Sequence, residues 1–124
     1  MPKSVLVVED YADTRVMMKT LIESFGYEVI EAADGYEALE KAKDFLPDLI
    51  LMDLMMPVMD GFEAAQFIRE YGRLHKVPIF AVTGFGDLNH EKVVKGGFDE
   101  VFSKPLDFDR FETTLKKYLD DAQN

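Results

Sequence analysis

Residues 49–61 read LILMDLMMPVMDG, and the rest of the chain is best understood from them. Leu49 to Met52 are apolar without a break, as in a strand covered on both faces, yet Asp53 follows at once. Burying an unpaired carboxylate among apolar side chains is unfavourable by roughly several kcal/mol. Asp53 therefore stands where the strand leaves the core, or a cation meets it. Met55 to Met59 read mainly as the loop after the strand, where an exposed methionine-rich edge could help dock a partner.

Four further apolar runs flank this one: Val5-Leu6-Val7-Val8, Val29-Ile30, Ile79-Phe80-Ala81-Val82 and Val101-Phe102. They alternate with helix-length segments, which implies βαβ units and an α/β fold with a parallel sheet covered by helices on both faces. The first, third and fourth runs are continuously apolar and read as central strands, the second and fifth as edges.

Between them, Val16, Met17, Leu21, Ile22 and Phe25 recur at helical spacing before Gly26, a C-terminal stop. Asp34 with Glu37, and Asp60 with Glu63, give two D-x-x-E helix starts resembling a capping box. Leu39, Ala42 and Phe45 form one inward stripe, and Phe62, Ala65 and Ile68 another. A short helix is expected from Asp87 to Val94 before the Gly96-Gly97 breaker. The last helix, about Asp107 to Leu119, turns Phe108, Phe111, Leu115 and Leu119 inward. The ten Phe residues read mostly as core, and the tail after Leu119 should fray.

A chain of 124 residues has the size of one domain, expected here to span 1–124 with no second, output domain. Cysteine is absent, so neither a disulfide scaffold nor a thiolate metal site is indicated. The net charge is −10 and the Lys and Arg residues are scattered, which argues against direct nucleic-acid binding. The first apolar run is too short for a signal-peptide core or a membrane span. A soluble cytoplasmic protein is expected, its acidity suited to a divalent cation or a basic partner.

Chemistry gathers at the strand ends. Strand one runs into Glu9-Asp10, strand three into Asp53, strand four into Thr83 and strand five into Ser103-Lys104-Pro105. In a parallel sheet these C-terminal ends share one edge, where open α/β folds bind their ligands. Three converging carboxylates repel one another unless a cation intervenes. Lys104 is one candidate and Mg²⁺ another, since it takes one or two carboxylates and completes its shell with water and phosphate oxygens. Zinc or iron has little to bind, and His75 and the Asp87, His90, Glu91 group read as ordinary surface. A carboxylate beside Mg²⁺ can attack a phosphoryl group to give an acyl phosphate, with Lys104 and the Thr83 hydroxyl meeting the phosphoryl oxygens.

The segments VVED, LILMDLMMPVMDG, AVTG and FSKP, in this order and spacing, resemble the receiver domains of two-component response regulators. The resemblance covers essentially the whole chain, from Lys3 to about Leu119. It implies a flavodoxin-like, doubly wound sheet of five parallel strands in the order 2-1-3-4-5 with five helices. It implies that Asp53 is the phosphoacceptor, that Asp10 binds Mg²⁺ directly and Glu9 through water, and that the Met55 backbone carbonyl is a further ligand. Thr83 and Lys104 would contact the phosphoryl group, and Lys104-Pro105 would be a cis peptide bond. The implied donor is a sensor histidine kinase or histidine phosphotransfer protein, and the implied output a downstream protein that senses strands four and five. Such a domain catalyses its own phosphorylation and slow dephosphorylation without being a turnover enzyme.

The chain departs from the family pattern at Val101, where many members carry a switching Tyr or Phe; Phe102 faces the opposite side of its strand. Met55 and Phe85, two residues beyond Asp53 and Thr83, are bulky and apolar, so self-hydrolysis of the acyl phosphate is expected to be slow. The rival functions are a phosphorylation-independent adaptor, an aspartyl-phosphate phosphatase and a flavin mononucleotide carrier. The phosphatase usually has a second acid where Met55 stands. The flavin carrier needs a Ser/Thr/Gly-rich loop where VEDYAD stands.

Overall fold

The apolar runs form one five-stranded parallel sheet in a computed structural model that describes residues 2–84 and 90–120. Its strands are β1 (Ser4–Val8), β2 (Glu28–Ala32), β3 (Leu49–Asp53), β4 (Ile79–Thr83) and β5 (Glu100–Ser103). Their order is β2-β1-β3-β4-β5, so the edges are the two strands whose apolar runs are shortest. The chain reverses direction across the sheet between β1 and β3, which pair from Val5 with Leu49 to Val8 with Met52.

The helices are α1 (Ala12–Ser24), α2 (Gly35–Phe45), α3 (Gly61–Glu70), α4 (His90–Lys95) and α5 (Phe108–Leu119). Strand alternation splits the core into two layers. Leu6, Ile50, Met52, Ile79 and Ala81 face Ala38 and Ala42 of α2, Ala65 and Ile68 of α3 and Val93 of α4. Val5, Val7, Leu51, Phe80 and Val82 face Met18 and Ile22 of α1 and Phe111, Leu115 and Leu119 of α5. β3 and β4 are buried along their full length.

The helix ends follow local chemistry. Asp34 and Asp60 accept the backbone N–H of Glu37 and Glu63 at 2.8 and 2.9 Å, each satisfying one of the orphan donors of a first turn. The return arm of a capping box is replaced at α2, where Glu37 pairs with Lys41 at 2.9 Å. Gly26, at φ 99°, takes the left-handed position after α1 that side chains disfavour.

Some inward faces differ from expectation. In α1 the buried residues are Met18 and Ile22, and Val16 and Met17 are exposed. Residues 16–18 are all apolar, so their run leaves the phase open; Ile22, one turn on from Met18, settles it. Phe45 and Phe108, expected inward, are exposed because they are the last residue of α2 and the first of α5. With Phe67 also exposed, and Phe25 and Phe62 only partly buried, the phenylalanines are less uniformly core than composition suggests. Phe85, Asp87, the proposed start of the fourth helix and the tail 121–124 lie outside the described residues.

Arg69 of α3 joins the two halves of the lower edge. Its guanidinium donates to the carbonyls of Val77, His75 and Gly97, and to Asp99 at 3.0 Å. Asp99 in turn accepts the Ile79 N–H that opens β4. Among the described residues, no helix is long and apolar enough to cross a membrane.

Candidate functional site

β1 and β3 are neighbours, and one step beyond their last paired residues stand Glu9 and Asp53. By strand alternation both side chains lie on the α1/α5 side of the sheet. Glu9 is 1% exposed and Asp53 6%, while Asp10, on the turn into α1, is open to solvent. Carboxylate oxygens of Glu9, Asp10 and Asp53 lie within 4.8 Å of one another. Sequence alone placed them on one edge, and the structure brings them into one cluster.

The backbone around each acid is pinned. The Glu9 N–H donates to the Ala32 carbonyl at 3.1 Å, and the Glu9 carbonyl accepts from Arg15 Nη1 at 2.9 Å. Arg15 also reaches Glu31 at 3.3 Å, tying β1, α1 and β2 together behind the site. Sequence reasoning missed Arg15, whose charge had no spacing relation to the acidic pair. Asp53 accepts the Met55 N–H at Oδ1, 3.1 Å.

Gly61 brings α3 close to the end of β3. Its N–H donates to the Leu54 carbonyl at 3.1 Å. A Cβ there would lie 2.6 Å from the Asp53 carbonyl oxygen and 2.9 Å from the Leu54 Cα, so only glycine allows this approach.

Lys104 enters from β5, where its N–H donates to the Thr83 carbonyl at 2.8 Å and a cis bond joins it to Pro105. Its Nζ lies 2.9 Å from Glu9 Oε1 and 3.6 Å from Asp53 Oδ2. Thr83, the last residue of β4, is buried and pairs with Ser103. Val101 packs into the α2/α3/α4 layer and Phe102 into the α1/α5 layer, as the alternation requires.

The Lys104 ammonium thus faces Glu9 and Asp53, with Asp10 clustered beside them. Burial, and next the hydrogen bond with Asp53, push Glu9 up from 4.5 to about 7, with Lys104 opposing. Burial works to lower Lys104, but its hydrogen bond to Glu9 and the charge of Asp53 outweigh it and hold the ammonium above its ordinary range. A folded value above the unfolded one adds stability that is fully present below about 4.5 and lost as pH rises through about 7. Ionised Glu9 therefore burdens the metal-free fold above neutral pH.

Glu9 Oε2 is buried with no hydrogen-bond partner among the described residues. An orphaned oxygen beside two further carboxylates is an all-oxygen donor set, which suits a hard divalent cation such as Mg²⁺. Two thermal shifts are expected. Mg²⁺ at about 100 times its Kd should stabilise the fold by about 2.7 kcal/mol. Asp53→Asn should stabilise the metal-free protein by on the order of 1 kcal/mol, because Lys104 keeps Glu9 while one repelling charge is removed. Melting curves with chelator and with Mg²⁺ check both; unchanged midpoints would mean that the carboxylates do not interact.

Comparison with known proteins agrees with this arrangement. The response regulator receiver domain family matches residues 5–116. The polar-differentiation response regulator DivK of Brucella anthropi is 42% identical over 98% of this chain and all of its own. That of Brucella ovis is 41% identical with the same coverage. Among solved structures, the chemotaxis protein CheY4 of Vibrio cholerae superposes with a TM-score of 0.88 at 34% identity, over 96% of this chain and 100% of its own. The receiver domain of the sensor histidine kinase PA1611 of Pseudomonas aeruginosa, which holds a magnesium ion in its active-site cleft, gives 0.88 at 28% identity, over 96% and 98%. Matched by the family over residues 5–116 and by full-length relatives at 41–42% identity, the chain belongs to the response regulator receiver domain family.

Proposed function

We propose that this receiver accepts a phosphoryl group on Asp53 from a phosphohistidine, carried by a sensor histidine kinase or a histidine phosphotransfer protein. The observation that carries the reading is the setting of Asp53: a nearly buried carboxylate within reach of Lys104 and held by the Met55 N–H. Asp53 Oδ2 forms the new O–P bond as the P–N bond breaks, and the electron pair returns to the donor's imidazole nitrogen. Lys104 meets the charge on the phosphoryl oxygens, and the Thr83 hydroxyl hydrogen-bonds to them.

Glu9, Asp10, Asp53 and the Met55 backbone carbonyl would hold Mg²⁺. Bound there, it supplies charge neutralisation for the transferring group. With phosphate attached, Lys104 must divide its contacts between the phosphoryl oxygens and Glu9, so β5 and its neighbour β4 are the elements whose surface reports the event. A downstream protein reading that surface completes the signalling role, and no substrate is turned over repeatedly.

The test is incubation with acetyl phosphate and Mg²⁺, read by intact mass and by mapping the modified residue. One phosphoryl group on Asp53 is expected, and none in the presence of chelator. Labelling elsewhere, or labelling independent of divalent cation, overturns the reading. The same sample checks persistence: with half-exposed, apolar Met55 beside the acyl phosphate, a lifetime of minutes or longer is expected, and loss within seconds contradicts it.

A further inference from the structure

A cavity of about 370 Å³ opens between α3 and the last residues of α4, lined by Phe62, Gln66, Arg69, Lys95, Gly96 and Gly97. Its size lies at the lower end of the range for small-molecule sites. The chain carries a net charge of −10, yet this lining holds two cations and no carboxylate. An anion is therefore the ligand that such a lining favours.

The two cations offer different things. The Arg69 Nη atoms are committed to three backbone carbonyls and to Asp99, so the guanidinium is held still and what it has left for a ligand is its flat face. Lys95 makes only an exposed pair with Glu91 at 3.3 Å. A pair of that kind is weak, so the ammonium is able to turn to another anion.

Phe62 adds a ring. It stands edge-on to Phe98 with centroids 5.6 Å apart and is only partly buried. Gly96 passes close beside it, and a Cβ there would lie 2.9 Å from Phe62 Cδ1. Rings and guanidinium planes are the surfaces on which nucleobases stack. The Gln66 amide carries a donor and an acceptor together, as a purine edge does.

We propose that this cavity is a binding site for a purine nucleoside monophosphate. The base lies against Phe62 and Arg69, Gln66 reads its edge and Lys95 meets the phosphate. None of these residues takes part in the chemistry proposed at Asp53, so the two readings fail separately.

The test is titration of isotope-labelled protein with AMP and with GMP, followed by amide NMR. Chelator is present throughout, so that no metal draws phosphate to the acidic cluster. Saturable shifts are expected with at least one nucleotide at the Gln66 side-chain amide and at the Gly96 and Gly97 backbone amides, with a Kd below about 1 mM. Adenosine and inorganic phosphate each carry half of the recognised chemistry and should bind at least about tenfold more weakly. Phe62→Leu and Lys95→Gln should each weaken nucleotide binding roughly tenfold. Lys117→Gln, at an exposed position on α5, should change it by less than about twofold. The melting midpoint checks that Phe62→Leu is folded, and Lys95→Gln alters an exposed side chain. No saturation by either nucleotide at about 10 mM, or shifts confined to other residues, overturns the site. Phosphate binding as tightly as the nucleotides, or equal losses from Lys95→Gln and Lys117→Gln, shows attraction by charge alone and overturns it too.

Discussion

Asp53→Asn should abolish Mg²⁺-dependent phosphorylation, lowering the rate by more than about 10³-fold. The amide keeps the shape and the hydrogen bond from the Met55 N–H but loses the anionic oxygen that attacks phosphorus. The neighbouring acids are poor substitutes. Glu9 is buried and held by Lys104 at 2.9 Å, and its higher proton affinity weakens it as a nucleophile near neutral pH. Asp10 is open to solvent and lies on the turn, whereas the ion pairs of Lys104 go to Glu9 and Asp53. The variant should also melt higher than wild type without metal, so lost labelling cannot be ascribed to a damaged fold. Labelling of Asp53→Asn at the wild-type rate would remove Asp53 from the chemistry.

Lys104→Met should be the most destabilising single change in the site. The stem of Lys104 is kept in length, but its ammonium, 2.9 Å from Glu9 and 3.6 Å from Asp53, is lost. Removing it leaves two nearly buried carboxylates facing each other. Breaking a buried pair from one side is costly, and with Lys104 partly exposed the loss should be about 2–3 kcal/mol in metal-free protein. Mg²⁺ should recover much of it, since the acids then have a cation again. Chemical unfolding with and without Mg²⁺ measures both. Equal stability of wild type and variant in chelator would show that Lys104 is not what balances the acids. Phosphorylation by acetyl phosphate should fall as well, through the loss of charge on the phosphoryl oxygens.

The sequence announced the sheet and the acids for the same reason. Continuous apolar runs are visible wherever both faces are covered, and a charge at the end of such a run marks the place where the strand emerges. Asp53, Glu9 and Lys104 were therefore legible one strand at a time. Their distances were not, because the spacing between Lys104 and Glu9 depends on two intervening strands. The phase of α1 was hidden by three consecutive apolar residues, and Phe45 and Phe108 by their places at helix ends. Arg15 carries no local signature, since its partners, the Glu9 carbonyl and Glu31, are set by how α1 crosses the sheet. The left-handed backbone of Val58, at φ 68°, was equally silent: valine in a loop gives no hint of it.

Gly61 has a meaning for how such a protein can diversify. Its N–H bond to Leu54 closes the base of the loop, and the missing Cβ lets that closure sit directly against the Asp53 backbone. The position of Asp53, the proposed phosphoacceptor, is thus fixed below the tie, apart from the exposed side chains at the loop's tip. Mutations at the tip should therefore alter the exposed surface without displacing Asp53. Duplicated copies of the gene would then be free to vary that surface while inheriting the same setting of Asp53.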